Sequence, residues 1–217
     1  MNELIKLTEK IKDENLRKLV VDFLENPCLS NKHFKKYPKA DIETAATPFS
    51  ISGGFPVERD VLKHTKALAE LCESNAKILN EEYGIKLNQD DLIAAAILHD
   101  LMKTYEWERK NGQLEHTGIM LDHTMLATAE LYHRGFPEGV IHIVASHFGE
   151  NGPTPPRNFE ALLFHQLDNM LSIIEYRHEA SKESPESQFQ MMLLDEETIK
   201  KLGELSEIEK ADRKDDE

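Results

Sequence analysis

Hydrophobic residues recur at three- and four-residue spacings along most of the chain, which is the period of amphipathic helices. This pattern predicts a first helix over residues 3–25, ended by Asn26-Pro27, and a second helix over about residues 56–83. The stretch between them, residues 26–57, is rich in Pro, Gly, Ser, Thr and Lys and is predicted to be a long connection. Because no pair of alternating strands is evident, we predict an all-α fold.

The segment LIAAAILHD, residues 92–100, is apolar on every side until its last two residues, which predicts the central buried helix of a bundle. The charged stretch YEWERKNGQLEHTG, residues 105–118, is predicted to form a loop or lid. The remaining predicted helices cover about residues 120–134, 137–147, 158–178 and 187–210.

The composition is that of a soluble globular protein, with 217 residues, 40% hydrophobic residues and 30% charged residues. Two cysteines are too few for a disulfide scaffold or a Cys-rich zinc module. No apolar run approaches the roughly 20 residues that span a bilayer. The first residues are charged throughout and lack the apolar core of a signal peptide, so we predict a cytoplasmic protein without a membrane partner.

The formal net charge of −14 disfavours binding to duplex nucleic acid, because such a surface repels a long polyanion. The same charge is compatible with a small phosphorylated substrate that a metal ion holds locally. Part of the negative charge lies in the segment from residue 204 to residue 217, which is predicted to be a charge-dense tail.

Several polar side chains occupy positions where the helical pattern calls for apolar ones. The pair His99-Asp100 ends the central apolar helix, and burying an unpaired carboxylate there is costly unless a cation compensates it. Further polar residues on apolar helix faces are His64, His123, His147 and Asp168. We predict that these side chains converge between helices on a divalent transition metal, with Fe, Mn, Ni, Co or Zn favoured over Ca.

The ordered set formed by His64, His99-Asp100 and Asp168 resembles the HD superfamily of metal-dependent phosphohydrolases. The run GGFPVERDVLKHT around His64 is similar to the Gly-rich segment before the family's first histidine. The run AAAILHDLMK is similar to the family's His-Asp segment, with Leu-Met where Ile-Gly is common. The run SHFGE resembles a Ser-His-His-Gly-Glu segment in which Phe148 replaces the second histidine.

The resemblance covers about residues 50–180 and implies an HD-domain helical bundle there, with the metal site between helices. Residues 1–49 are then an N-terminal helix and connection that packs on this domain, and residues 181–217 are a C-terminal helix and acidic tail. The single apolar stripe of the first helix is equally compatible with a homodimer interface.

The resemblance also implies one or two metal ions. The first ion would be held by His64, His99, Asp100 and Asp168. The second would be held by His123 and His147, with Asp100 as the bridge between the ions. For His123 the alternative ligand is His116, in the charged stretch.

Two basic residues are predicted to act on the substrate. Lys103 lies one turn beyond His99-Asp100 and is predicted to neutralise charge on a phosphate. Arg157 follows two prolines in a loop and is a further candidate for phosphate binding.

The predicted activity is that of a phosphodiesterase that acts on a small nucleotide-like or cyclic phosphate substrate through a metal-activated water. Two branches of the family are similar: the stand-alone archaeal-type enzymes that open cyclic phosphates of pterin precursors, and the HD domain of bacterial 3′→5′ exoribonucleases. The alternatives are a binuclear iron oxygenase of the same fold and a non-catalytic regulator that binds metal or nucleotide.

Overall fold

The computed structural model describes residues 2–51 and 54–183. The chain divides into two compact units, residues 1–174 and residues 175–217, and each is considered by itself. Within the second unit the described residues are 175–183, and they are helical.

The described residues form an all-α fold of seven helices with two small hairpins. The helices are α1 (Asn2–Leu7), α2 (Glu14–Glu25), α3 (Val61–Tyr83), α4 (Gln89–Leu98), α5 (His123–His133), α6 (Glu138–Ala145) and α7 (Phe159–Glu183). The strands are β1 (Ala46–Phe49), β2 (Val57–Asp60), β3 (Trp107–Lys110) and β4 (Gln113–His116). Short 3₁₀ turns lie at Thr8–Lys10, Lys32–Phe34, Leu101–Tyr105 and Gly149–Asn151.

Short polar side chains define where several helices begin, because they accept hydrogen bonds from backbone N–H groups that lack a partner within the helix. These N-terminal capping residues are Asp13, Asp60, Asn88 and Asp122. At the other end of α3, Gly84 adopts the left-handed conformation with φ of 67° and closes the helix.

Helix α4 lies at the centre of the core, and every residue from Leu92 to Leu98 is buried. It packs against α3 and α6, and also against α2. Helices α1 and α2 bury Leu4 and Val20 in the same hydrophobic core. The N-terminal helices therefore pack on the bundle.

The prediction of one continuous helix over residues 3–25 is wrong, because the structure has two helices there. The helix is interrupted after Leu7 by a 3₁₀ turn, and α2 begins only after Asp13, whose carboxylate accepts from the backbone N–H groups of Asn15 and Leu16. The capping carboxylate starts a new helix within an apolar stripe that continues across the break.

The prediction that strands are absent is also wrong. Strands β1 and β2 pair antiparallel inside the predicted connection, so that α3 begins at Val61 rather than near residue 56. Strands β3 and β4 pair inside the predicted lid through a turn at Asn111 and Gly112, both with positive φ. Asn-Gly is the preferred sequence for such a two-residue turn, and it identifies this hairpin in retrospect.

The helix predicted over residues 187–210 lies outside the described residues. No helix in the ranges described is long and apolar enough to cross a membrane.

Candidate metal centre

Six predicted ligands meet at one place in the first unit. His64 projects from α3, and His99 and Asp100 follow the last turn of α4. His123 is the first residue of α5, His147 is the second residue after α6, and Asp168 lies on α7. The ligands thus come from within or just after five different helices.

Asp100 is common to two groups of possible metal ligands. In the first group the ligand atoms of His64, His99 and Asp100 all lie within 4.8 Å of one another, and in the second the same holds for Asp100, His123 and His147. The two carboxylate oxygens of Asp100 face different histidines. Its Oδ1 lies 3.4 Å from His123 Nε2, and its Oδ2 lies 3.4 Å from His99 Nε2.

Asp168 joins the first group through His64, since its Oδ1 lies 3.0 Å from His64 Nε2. The six side chains therefore form one continuous cluster with a carboxylate at its middle and a second carboxylate beside His64.

Hydrogen bonds at Nδ1 orient three of the imidazole rings. His99 Nδ1 donates to the carbonyl oxygen of Ala96 at 2.9 Å, and His147 Nδ1 donates to that of Val144 at 2.7 Å. His123 Nδ1 lies 3.1 Å from a carboxylate oxygen of Glu106. A proton at Nδ1 leaves the Nε2 lone pair directed into the cluster, which is the usual arrangement of metal-binding histidines.

The cluster contains buried polar atoms that have no hydrogen-bond partner among the described residues. They are Nε2 of His99, Nε2 of His123 and Oδ1 of Asp100. Leaving such atoms unpaired costs about 1–3 kcal/mol each. Divalent cations bound to the two groups would satisfy these atoms, and a set of imidazole nitrogens and carboxylate oxygens suits a transition metal. The residues present therefore fit a metal centre.

The charges of the cluster match this role. Burial opposes ionisation of Asp100, but His99 and Lys103 hold the pKa of its carboxyl well below the usual range. Burial, with His123 and His99 nearby, lowers the pKa of His147 to about 3, so its imidazole is neutral as a metal ligand must be.

The cluster opens into a cavity of about 460 Å³ in the first unit. Three aromatic side chains line it: Phe49, Trp107 and Phe148. Uncharged polar groups line it as well: Asn151, Asn169 and Ser172. A flat ring with polar substituents can be accommodated by such walls.

The loop after α6 positions His147. Gly149 has φ of 62°, and a Cβ there would lie 2.3 Å from Nε2 of His165. The His165 ring in turn donates from Nδ1 to the carbonyl oxygen of His147 at 2.7 Å. The glycine of SHFGE thus lets His165 approach the backbone of His147 closely.

Lys103 lines the cavity and donates to Asp100 Oδ2 at 2.8 Å. Arg157 does not line the cavity: it is exposed, and its backbone N–H donates to His142 Nε2 at 3.0 Å. His116 is exposed on β4, where its ring lies 5.2 Å from that of Trp107. The structure thus places His123, and not His116, with the other ligands.

Two charged residues of the site were not found from the sequence. Glu106 follows the 3₁₀ turn at Leu101–Tyr105 and accepts from both the backbone N–H and the ring of His123. Arg59 lies on β2, where Val57 and Arg59 are buried and Glu58 is exposed. In the sequence V-E-R-D, alternation of side chains along a strand directs Arg59 to the buried face. This signal can be recognised only if the segment is first assigned to a strand.

Comparison with known proteins gives three findings. The model of the HD domain family matches residues 61–203. Over 170 residues the chain is 42% identical to the dihydroneopterin 2′,3′-cyclic phosphate phosphodiesterase of Methanocaldococcus jannaschii, in an alignment that covers 77% of this chain and 67% of that protein. It is 27% identical over 131 residues to an uncharacterised protein of Acanthamoeba polyphaga mimivirus, covering 60% of this chain and 55% of that protein. No solved structure matches the chain significantly.

Proposed function

The chain belongs to the HD domain family, and from this premise we propose that it is a metal-dependent phosphodiesterase that opens the ring of a 2′,3′-cyclic phosphate carried by a small heterocyclic compound. The observation that carries the proposal is the cluster of six polar side chains, of which Asp100, His123, His147 and Asp168 line a cavity with aromatic walls. The similarity to a cyclic phosphate phosphodiesterase gives the substrate class.

We assign two divalent ions to the cluster. One would be held by His64, His99, Asp100 and Asp168, and the other by Asp100, His123 and His147. Asp100 would be shared by both groups, because its two oxygens face different histidines. Bound in this way, divalent ions lower the pKa of a coordinated water and stabilise negative charge on phosphoryl oxygens. Fe, Mn, Ni, Co and Zn all suit this ligand set.

The reaction is a hydrolysis that balances without a further reactant. A water oxygen forms a bond to phosphorus, one ring P–O bond breaks, and the proton from water ends on the released hydroxyl group. The product is a phosphate monoester. Lys103 compensates the charge of the buried Asp100 carboxylate, and Glu106 keeps His123 oriented.

The cavity walls favour a flat heterocycle as the part of the substrate that carries the phosphate. Trp107 and Phe148 offer ring faces for stacking, and Asn169 offers an amide that can donate to and accept from ring substituents. A dihydropterin has a flat ring system and polar ring substituents. It is the heterocycle in the name of the relative from Methanocaldococcus jannaschii.

The test is anaerobic hydrolysis of a panel of 2′,3′-cyclic phosphates, linear diesters and phosphomonoesters by the Mn²⁺- or Fe²⁺-loaded protein. We expect ring opening of the cyclic phosphates, and loss of this activity together with bound metal in Asp100→Ala. Asp22→Ala is the matched control, since that exposed carboxylate pairs only with Lys18 in the described structure. Activity of Asp100→Ala equal to that of the wild type would contradict the proposal.

An iron oxygenase would use the same ligands, so the assay must separate the two reactions. Oxygen consumption in a parallel aerobic assay, without cleavage of a P–O bond, would support the oxygenase. Metal binding without turnover of any substrate would support a regulatory protein.

A further inference from the structure

Arg59 and Lys103 are the arginine and lysine side chains that line the metal cavity, within the part of the chain that the structure describes. Lys103 donates to Asp100 Oδ2 at 2.8 Å, which ties its ammonium group to the cluster itself. Arg157, a candidate from the sequence, is exposed and lies outside the cavity lining. Arg59 is the other basic side chain of the lining, and it comes from β2 rather than from the metal cluster.

Strand pairing and an aromatic contact hold Arg59 in the cavity wall. On β2 it pairs in register with Thr47 of β1, and both residues are buried. Its guanidinium carbon lies 4.0 Å from the centre of the Phe49 ring, so the ring face supports the planar cation. The guanidinium group is thus a buried cation, 8% exposed, held at the wall of the cavity that the metal ligands also line.

The chemistry of the guanidinium group indicates which anion it binds. Its N–H donors form a rigid planar fork that matches two oxygens on one phosphorus or carboxyl carbon, whereas a lysine ammonium acts as a point charge. A cyclic phosphate diester presents two non-bridging oxygens of this kind. Stacking on Phe49 restricts the fork to one plane before the ligand arrives, which lowers the entropy cost of binding.

We propose that Arg59 binds the non-bridging phosphate oxygens of the substrate and of the phosphate monoester product. This inference rests on the proposed function, because it takes a phosphate ester as the ligand of the cavity. Arg59 takes the phosphate-binding role that the sequence suggested for Arg157, and Lys103 compensates the charge of Asp100.

The test compares Arg59→Gln and Arg59→Lys with Arg109→Gln. Arg109 is the matched control because it is exposed on β3 and lies outside the metal cavity. Its guanidinium group pairs at 2.7 Å with Glu58, the residue before Arg59. The first readout is the dissociation constant of inorganic phosphate for the Mn²⁺-loaded protein, measured by calorimetry. The second is KM for a 2′,3′-cyclic nucleotide, with bound metal measured in every variant.

Arg59→Gln is expected to weaken phosphate binding and to raise KM by about tenfold or more, since a charge-assisted pair of hydrogen bonds is lost. Arg59→Lys keeps the charge but not the fork, and an intermediate value is expected. Metal content and the behaviour of Arg109→Gln should match the wild type. If Arg59→Gln does not fold, Arg59→Lys carries the comparison, because lysine keeps the positive charge that the Phe49 ring face favours.

Phosphate affinity of the Arg59 variants equal to that of the wild type would overturn the inference, even if the cyclic phosphate is hydrolysed. Conversely, a wild type that turns over no cyclic phosphate but binds inorganic phosphate through Arg59 would refute the proposed substrate and support the assignment of Arg59. The two failures are therefore distinguishable.

Discussion

Replacing Glu106 by Gln tests whether the second group of ligands is a metal site. Glu106 Oε1 accepts from the backbone N–H of His123 at 2.5 Å and lies 3.1 Å from its ring Nδ1. Glutamine keeps the shape and one acceptor oxygen but removes the negative charge that strengthens the bond to the ring. His123 Nε2 then becomes a weaker ligand, because the basicity of a bound imidazole depends on its outer partner.

The magnitude follows from the bond that changes. A hydrogen bond to a charged group contributes about 1.5–3 kcal/mol and a neutral one about 0.5–1.5 kcal/mol, so the loss is about 1.5 kcal/mol. This corresponds to about a tenfold weaker affinity for the ion that His123 holds. The ion held by His64, His99 and Asp168 should be affected little, since Glu106 contacts none of these three side chains in the described structure.

The assay is a titration of the metal-free protein with Mn²⁺ against a competing chelator, fitted for two sites. We expect one of the two affinities to fall by about tenfold in Glu106→Gln and neither to change in Glu108→Gln. Glu108 is the control because it lies on β3 and pairs with Lys110 at 2.6 Å. Unchanged affinities, or an equal loss at both sites, would refute the reasoning that Glu106 acts through His123.

Three further predictions concern packing and access. Gly149→Ala should lower the free energy of unfolding by about 1–3 kcal/mol in urea denaturation, because the new Cβ overlaps His165 and the residue has a positive φ. A urea midpoint equal to that of the wild type would contradict the close approach of His165 to Gly149. Asp13→Ala should cost about 1 kcal/mol by the same measurement, through loss of the cap of α2, and no change would show that the cap contributes nothing. In the native protein an alkylating reagent should modify the exposed Cys28 and spare the buried Cys72, as mass spectrometry of the labelled peptides would reveal; equal labelling would contradict the packing of α3.

The helical pattern of the sequence predicted the helical bundle and singled out polar side chains that the structure brings together. A polar residue on an apolar helix face is conspicuous because burial of an unpaired group is costly, and this made His64 and Asp168 recognisable. The resemblance of the His-Asp segment to a known family then ordered these residues into one set. Both inferences depend on local spacing, which the sequence displays directly.

The hairpins and the groups they deliver were missed for a different reason. Strands of four residues are too short for their alternation to stand out against helical periodicity. Arg59 enters the cavity only because β2 pairs with β1 in a particular register, and Glu106 reaches His123 across 17 residues of chain. Contacts that depend on pairing between distant segments are not visible in the spacing of either segment.

The most direct test of the proposed activity is ³¹P NMR of a 2′,3′-cyclic phosphate incubated with the Mn²⁺-loaded protein in ¹⁸O-labelled water under anaerobic conditions. We predict conversion to a single phosphate monoester whose phosphorus carries one ¹⁸O atom, and no conversion by Asp100→Ala. An unchanged cyclic phosphate in the presence of fully loaded protein, or a product without the label, would contradict hydrolysis at this metal centre.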